Sequence, residues 1–132
     1  MEDKIKVLLV DDEPDFLVPI AFWLNSKGYE VAVASSGEKA IDMLKKEKKP
    51  HIVFLDINMP GMDGLETLKR IRKMDRELPV IMVTAYADEE KFSQAKKLKT
   101  SGFFPKGGSL EELQKTIEVT LRTLKKLKMP QK

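Results

Sequence analysis

The 132-residue chain contains no cysteine, which removes disulfides, thiolate metal sites and thiol nucleophiles together. Long apolar runs are missing as well. None approaches the roughly 18 to 20 residues that a membrane-crossing helix needs. The opening Met1-Glu2-Asp3-Lys4 is acidic and polar, unlike a secretory signal. With no signal, no disulfide and no span, the expected compartment is the cytoplasm. Arginine is scarce, with four among 24 basic residues. The lysines fall in groups such as Lys45-Lys46, Lys96-Lys97-Lys99 and Lys125-Lys126-Lys128, and acidic residues interleave with most of them. Base and phosphate forks favour arginine, so the net charge of +3 reads as a solvated surface, and direct nucleic-acid binding is not expected. What is present, 42% hydrophobic and 34% charged residues, suffices for one packed domain.

Apolar runs of strand length alternate with amphipathic stretches of helix length. Ile5 to Val10 is the first run, followed by a helical stretch from about Pro14 to Lys27 with proline in its first turn. Phe16, Leu17, Ile20, Ala21 and Leu24 recur there at helical spacing, and Gly28 ends it. After a second strand over about Glu30 to Ala34, Ser35-Ser36-Gly37-Glu38 reads as a capping box for a helix carrying Ala40, Ile41 and Leu44. Ile52 to Leu55 is a solidly apolar third strand that runs into Asp56. Asp63 opens a helix with the stripe Leu65, Leu68 and Ile71. Val80 to Val83 is the fourth strand, a polar helix spans about Asp88 to Lys99, and Gly102-Phe103-Phe104 is a short fifth strand. Ser109 to Glu112 caps a last helix striped by Leu113, Ile117, Leu121 and Leu124. No repeat or internal linker appears. The expected domain covers residues 1–125, with 126–132 as a basic tail or the start of a linker.

Five strands alternating with five helices predict an α/β fold. One parallel sheet is covered on both faces, in the flavodoxin-like order 2-1-3-4-5. That order reverses between the first and third strands, and ligands of such sheets bind there, outside the carboxyl ends of the strands. The first strand ends in Asp11-Asp12 with Glu13 next, the third in Asp56, the fourth in Thr84 and the fifth, after Pro105, in Lys106. Taken singly, each is an ordinary cap, loop carboxylate or solvated lysine. Together they are a site. Three converging aspartates repel and raise one another's pKa unless a cation intervenes, and oxygen ligands without histidine or cysteine suit Mg²⁺. A carboxylate nucleophile, a divalent cation, a hydroxyl and an ammonium make up a phosphoryl-transfer site. In it Asp56 would attack phosphorus, Lys106 would neutralise the transferring oxygens and Thr84 would hydrogen-bond one of them.

In these blocks the chain resembles the receiver domain of bacterial two-component response regulators, chemotaxis regulators among them. The resemblance covers about residues 5 to 125. Its blocks are Val7-Leu8-Leu9-Val10-Asp11-Asp12-Glu13, Asp56-Ile57-Asn58-Met59-Pro60-Gly61-Met62-Asp63-Gly64, Thr84-Ala85-Tyr86 and Gly102-Phe103-Phe104-Pro105-Lys106. The resemblance implies that Asp56 is the phosphoacceptor, charged by a histidine kinase or phosphotransfer protein. It implies that Asp11 and Asp12, with Asp56 and the backbone carbonyl of Asn58, hold Mg²⁺. Thr84 and Lys106 become the phosphate-sensing pair, and Phe103 takes the aromatic switch position. The implied function is a signalling module, catalysing only its own phosphoryl uptake and autodephosphorylation. Its signal is read by a downstream protein, an output domain or a second copy of the chain. Two departures stand out. Gly107 follows Lys106 where the family usually has a cis proline, and a non-proline cis bond costs about 2.5 to 4 kcal/mol, so a trans, more mobile loop is expected. Phe103 replaces the frequent tyrosine and has no hydroxyl to turn outward.

Two other readings stand beside this one. An aspartyl-nucleophile phosphatase of the haloacid-dehalogenase type would place a second aspartate two residues after the nucleophile, where this chain has Asn58. The basic tail could contact nucleic acid. Of the remaining residues, His51 starts the third strand, at the end opposite Asp56, and Trp23 reads as a packing residue. Met59 and Met62 are expected to cover the site, and Tyr86, two residues after Thr84, is expected either to border the phosphate and influence hydrolysis or simply to pack at the surface.

Overall fold

The computed structural model describes residues 4–46, 49–85 and 89–128. Strands and helices alternate in the predicted order: β1 (Lys6–Val10), α1 (Pro14–Ser26), β2 (Glu30–Ala34), α2 (Gly37–Lys46), β3 (Ile52–Asp56), α3 (Gly64–Met74), β4 (Val80–Thr84), α4 (Glu89–Lys97), β5 (Gly102–Pro105) and α5 (Leu110–Lys128). The sheet is parallel throughout in the order β2-β1-β3-β4-β5. All five residues of β3 are buried, because helices cover both faces of a central parallel strand. One face packs Leu9, Phe54 and Val83 against α1 and α5 through Leu17, Leu24, Leu113 and Ile117. The other packs Val10, Leu55 and Met82 against Ala40, Leu68, Ile71 and Ala95 of α2, α3 and α4.

Several element ends differ from the sequence reading, and each has a local cause. The box expected on Ser35 and Glu38 does not form. Ser36 caps α2 instead, its Oγ accepting the Lys39 N–H at 3.1 Å, while Ser35 Oγ meets Lys39 Nζ. α5 does carry a full box: Ser109 Oγ accepts the Glu112 N–H at 3.1 Å and the Glu112 carboxylate accepts the Ser109 N–H at 3.2 Å. α1 ends in a Schellman turn, with Gly28 at φ 96° and the Tyr29 N–H returning to the Leu24 carbonyl at 3.1 Å. α4 stops at Lys97 rather than Lys99, and Lys99 lies at φ 59°. Asp88, where that helix was expected to begin, is outside the described residues, as is Tyr86. α5 continues to Lys128, three residues into the stretch read as a tail, and 129–132 are not described.

Candidate functional site

The pairing of strands builds the site. Val10 pairs with Leu55 and Asp56 pairs with Val83, so Asp11, one residue past β1, stands beside Asp56 at the end of β3. Asp11 leaves the sheet with its N–H on the Ala34 carbonyl at 3.1 Å, and its Oδ1 accepts the Glu13 N–H at 2.9 Å. That turn aims the carboxylate at the switch point. Asp56 Oδ1 accepts the Asn58 N–H at 3.2 Å, and the loop behind it closes through the Gly64 N–H to the Ile57 carbonyl at 2.9 Å. Closure is so tight that a Cβ on Gly64 would run into the Asp56 carbonyl, so only glycine fits.

From the far strand, Lys106 reaches across. Its N–H donates to the Thr84 carbonyl at 2.9 Å, which fixes the end of β5 to that of β4. The ammonium lies 3.0 Å from Asp11 Oδ2 and 3.3 Å from Asp56 Oδ2, it also pairs with Glu13, and it sits 5.0 Å from the ring centre of Phe16. Asp11 and Asp56 side chains are only 1% and 3% exposed. Burial, and then the charge of Asp11, push the Asp56 carboxyl up to about 6, against the opposing pull of the Asn58 N–H and Lys106. Burial likewise raises Asp11. Burial works against the Lys106 charge, but Glu13, Asp11 and Asp56 outweigh it and hold the ammonium above its usual range.

Asp11 Oδ2, close as it is to Lys106, is not aligned for a hydrogen bond with it and has no hydrogen-bond partner among the described residues. One oxygen each from Asp11, Asp12 and Asp56 lie within 4.8 Å of one another. A buried carboxylate oxygen left without a donor, in an all-oxygen cluster, fits a hard divalent cation such as Mg²⁺.

The other expected residues fall as follows. Thr84 is the last residue of β4 and half-buried. Phe103 pairs with Met82, which puts it on the same sheet face as Thr84, and its ring lies 4.2 Å from that of Phe92 on α4. The peptide bond to Gly107 is trans, no cis bond occurring among the described residues. Lys106 is nonetheless held, by the side chains named above. Met59 does not cover the site: it is buried in the core beside Ile57 and Leu65, because the loop turns inward before Gly64. His51 is structural, its Nδ1 accepting the Lys6 N–H and its own N–H donating to the Lys6 carbonyl, both at 2.9 Å. Sequence reasoning missed Glu13 and Phe16 as partners of Lys106, and Lys91 of α4, whose Nζ donates to Asn58 Oδ1 at 2.5 Å. Only Glu13 left a signal, by adjoining the aspartate pair.

Fold and site together define a flavodoxin-like α/β protein with an acidic, lysine-bridged cluster at its topological switch point. Known proteins give that class a family. Residues 7–118 match the response regulator receiver domain. The sporulation initiation phosphotransferase F of Bacillus subtilis is 34% identical over 113 residues, 86% of this chain and 90% of that protein. A probable transcriptional regulator, ycf27, of Guillardia theta is 37% identical over 126 residues, 96% of this chain but 49% of that protein, so the chain spans about half its length. The crystal structure of a CheY-like response regulator receiver domain protein from Methanospirillum hungatei superposes with a TM-score of 0.89 at 26% identity, over 94% of this chain and 98% of that one. The chain belongs to the response regulator receiver domain family, the receivers of two-component systems. Among the described residues, no helix is long and apolar enough to cross a membrane.

Proposed function

We propose that Asp56 accepts a phosphoryl group from the phosphohistidine of a histidine kinase or phosphotransfer protein, and that the new charge resets a protein-binding surface. The observation that carries this reading is the meeting of buried Asp56 with Asp11 and the Lys106 ammonium at the switch point. An Asp56 oxygen forms the new bond to phosphorus while the P–N bond breaks, and its electron pair leaves on the imidazole, which takes up a proton. A carboxyl pushed up to about 6 is still mostly ionised near neutral pH, so the nucleophile is available. Lys106, 3.3 Å from Asp56 Oδ2, follows the charge onto the phosphoryl oxygens, and the Thr84 hydroxyl is the second donor. Asp11, Asp12 and Asp56, with the Asn58 backbone carbonyl, would hold Mg²⁺, which would supply positive charge to the oxygens being transferred. Hydrolysis of the aspartyl phosphate by the same site resets the module, which turns over no other substrate.

Phosphorylation puts a phosphoryl group of about −1.5 to −2 charges where one carboxylate charge stood, a net gain of about one negative charge at Asp56. As Thr84 moves toward that group, the space it leaves on the shared sheet face lets Phe103 turn inward, away from Phe92. The face of α4, β5 and α5 is then the surface offered to a downstream protein, an output domain or a second copy of the chain, with a coupling of about 1 to 3 kcal/mol. Acetyl phosphate with Mg²⁺ should modify the chain once, and Asp56→Asn should abolish the modification while the fold persists. Undiminished labelling of that variant overturns the assignment.

A further inference from the structure

The backbone of Lys106 is fixed by its N–H on the Thr84 carbonyl, but the ammonium must reach the phosphoryl group on a long side chain. The two residues after Lys106 are Gly107 and Gly108, and a Cβ built on Gly107 would meet nothing within 4 Å. Four methylenes separate the backbone from the ammonium, and each free rotamer costs entropy when the head group is fixed. The partners that fix it are of two kinds. Asp11, Glu13 and Asp56 are carboxylates in or beside the acidic cluster, and the reaction changes their surroundings: Asp56 becomes the ester, and Asp11 is a ligand of the proposed cation. Phe16 is of the other kind. Its ring, 5.0 Å from Lys106 Nζ, is neutral and is not consumed by any step. It sits in the first turn of α1 behind Pro14, packs against the core that includes Leu17 and Ile20, and lines the same hollow as Asp56.

We infer that Phe16 is a positioning residue for Lys106, its ring face holding the ammonium at the mouth of the site through the phosphoryl transfer. This takes over the aiming that a rigid residue after the lysine would otherwise supply. A flat π face attracts a cation through its quadrupole, and an aliphatic side chain of similar bulk does not, so the chemistry of the position and not only its size is at stake. The inference rests on the reading of Asp56 as phosphoacceptor, and one arm of its test does not.

That arm uses the free protein. The ring current of Phe16 should shift the ε-methylene protons of Lys106 upfield of the other lysines in an NMR spectrum. Phe16→Leu should erase the shift and Phe16→Tyr should keep it. The second arm titrates fluoroberyllate with Mg²⁺. Phe16→Leu should weaken binding about fivefold, as expected for a partly desolvated cation–π contact, and Phe16→Tyr should stay within about twofold. In a Lys106→Met background, Phe16→Leu should change nothing further. An equal loss in that background would show that the ring acts through packing alone and would overturn the inference, as would a Lys106 shift indifferent to Phe16→Leu. A wild-type chain that takes up no fluoroberyllate overturns the reading of Asp56 instead, and the ring-current comparison then decides whether Phe16 holds Lys106.

Discussion

At the amino-terminal edge of the sheet, Arg72 turns its donors onto four backbone carbonyls: Nε to Leu98 at 2.8 Å, Nη1 to Asp75 and Leu78 at 3.1 and 2.9 Å, and Nη2 to Lys99 at 2.9 Å. Beside it Asp75 Oδ1 accepts the N–H groups of Glu77 and Leu78, and the carboxylate pairs with Lys49. Those donors outweigh burial and hold Asp75 below the usual carboxylate range. At the carboxyl-terminal edge the balance is reversed. Asp11 and Asp56 are more deeply buried, share one ammonium, are pushed up in pKa, and leave Asp11 Oδ2 without a hydrogen bond. Both edges take charge out of water, and burial works against the Arg72 charge too, but only at the first edge do partners outweigh burial for the carboxylate. The first edge stabilises the fold, and the second, short of donors, is where the proposed cation and phosphoryl group would bind.

Breaking the compensated edge should produce the largest effect. Arg72→Met leaves four carbonyls without their donor, two of them in the turn that leads into β5. A hydrogen bond to a charged donor contributes about 1.5 to 3 kcal/mol, and the four share one guanidinium, so a total loss of about 3 to 4 kcal/mol is expected from urea unfolding. Arg72→Lys, which keeps the charge and loses the fork, should recover only part of it. A loss below about 1 kcal/mol would mean that water replaces the guanidinium at little cost, and the contrast between the edges would fail.

The second test works on the other edge and carries the opposite sign. In metal-free protein, the Asp56 carboxyl titrates near 6 when folded and near 3.8 when unfolded. Below about pH 4 both states are protonated and the group contributes nothing. As pH rises from 4 to 6 the unfolded chain releases its proton first, so stability falls, and the penalty is complete above about pH 6. Two units at about 1.4 kcal/mol each give about 2 to 3 kcal/mol. Asp56→Asn in chelator should therefore be more stable than the wild type by about that amount at pH 7.5, and the gain should fade toward pH 4. A constant gain across this range would assign it to something other than the carboxylate charge.

These edges also differ in how much of them the sequence discloses. The strand order and the positions of Asp11, Asp56, Thr84 and Lys106 are legible, because four of the five strands end at a chemical residue and a parallel sheet gathers those ends on one side. Arg72 is not. Within Lys69-Arg70-Ile71-Arg72-Lys73 it looks like one more solvated cation, and its acceptors, up to 27 residues away, become neighbours only when two turns meet. The same holds for Lys106, whose partners Glu13 and Phe16 begin a helix some 90 residues earlier in the chain. Ser35 and Ser36 both suit a cap, and what decides between them is where the helix ladder starts, with the Ala40 N–H on the Ser36 carbonyl. Periodicity reports which face a residue is on. It does not report which long side chain reaches across.

The smallest expected effect bears on what holds the site in place. Gly107 and Gly108 are adjacent, and neither has a positive φ, yet they should respond differently to alanine. At Gly107 the new methyl meets open space, and the main consequence is a less free unfolded chain, worth about 0.4 to 1 kcal/mol in favour of the fold. At Gly108 the methyl would come within 2.7 Å of the Phe104 ring and 3.1 Å of the Pro105 carbonyl, so the turn must shift, at a cost of about 1 to 3 kcal/mol. Thermal or urea unfolding of the two variants should therefore move in opposite directions. Fluoroberyllate affinity sharpens the point. If side chains from α1 aim Lys106, stiffening the loop through Gly107→Ala should leave affinity within about twofold, since the ammonium is already placed. A several-fold gain from that single methyl would show that loop freedom is what limits the lysine, and that the acidic edge is held together less firmly than its short contacts suggest.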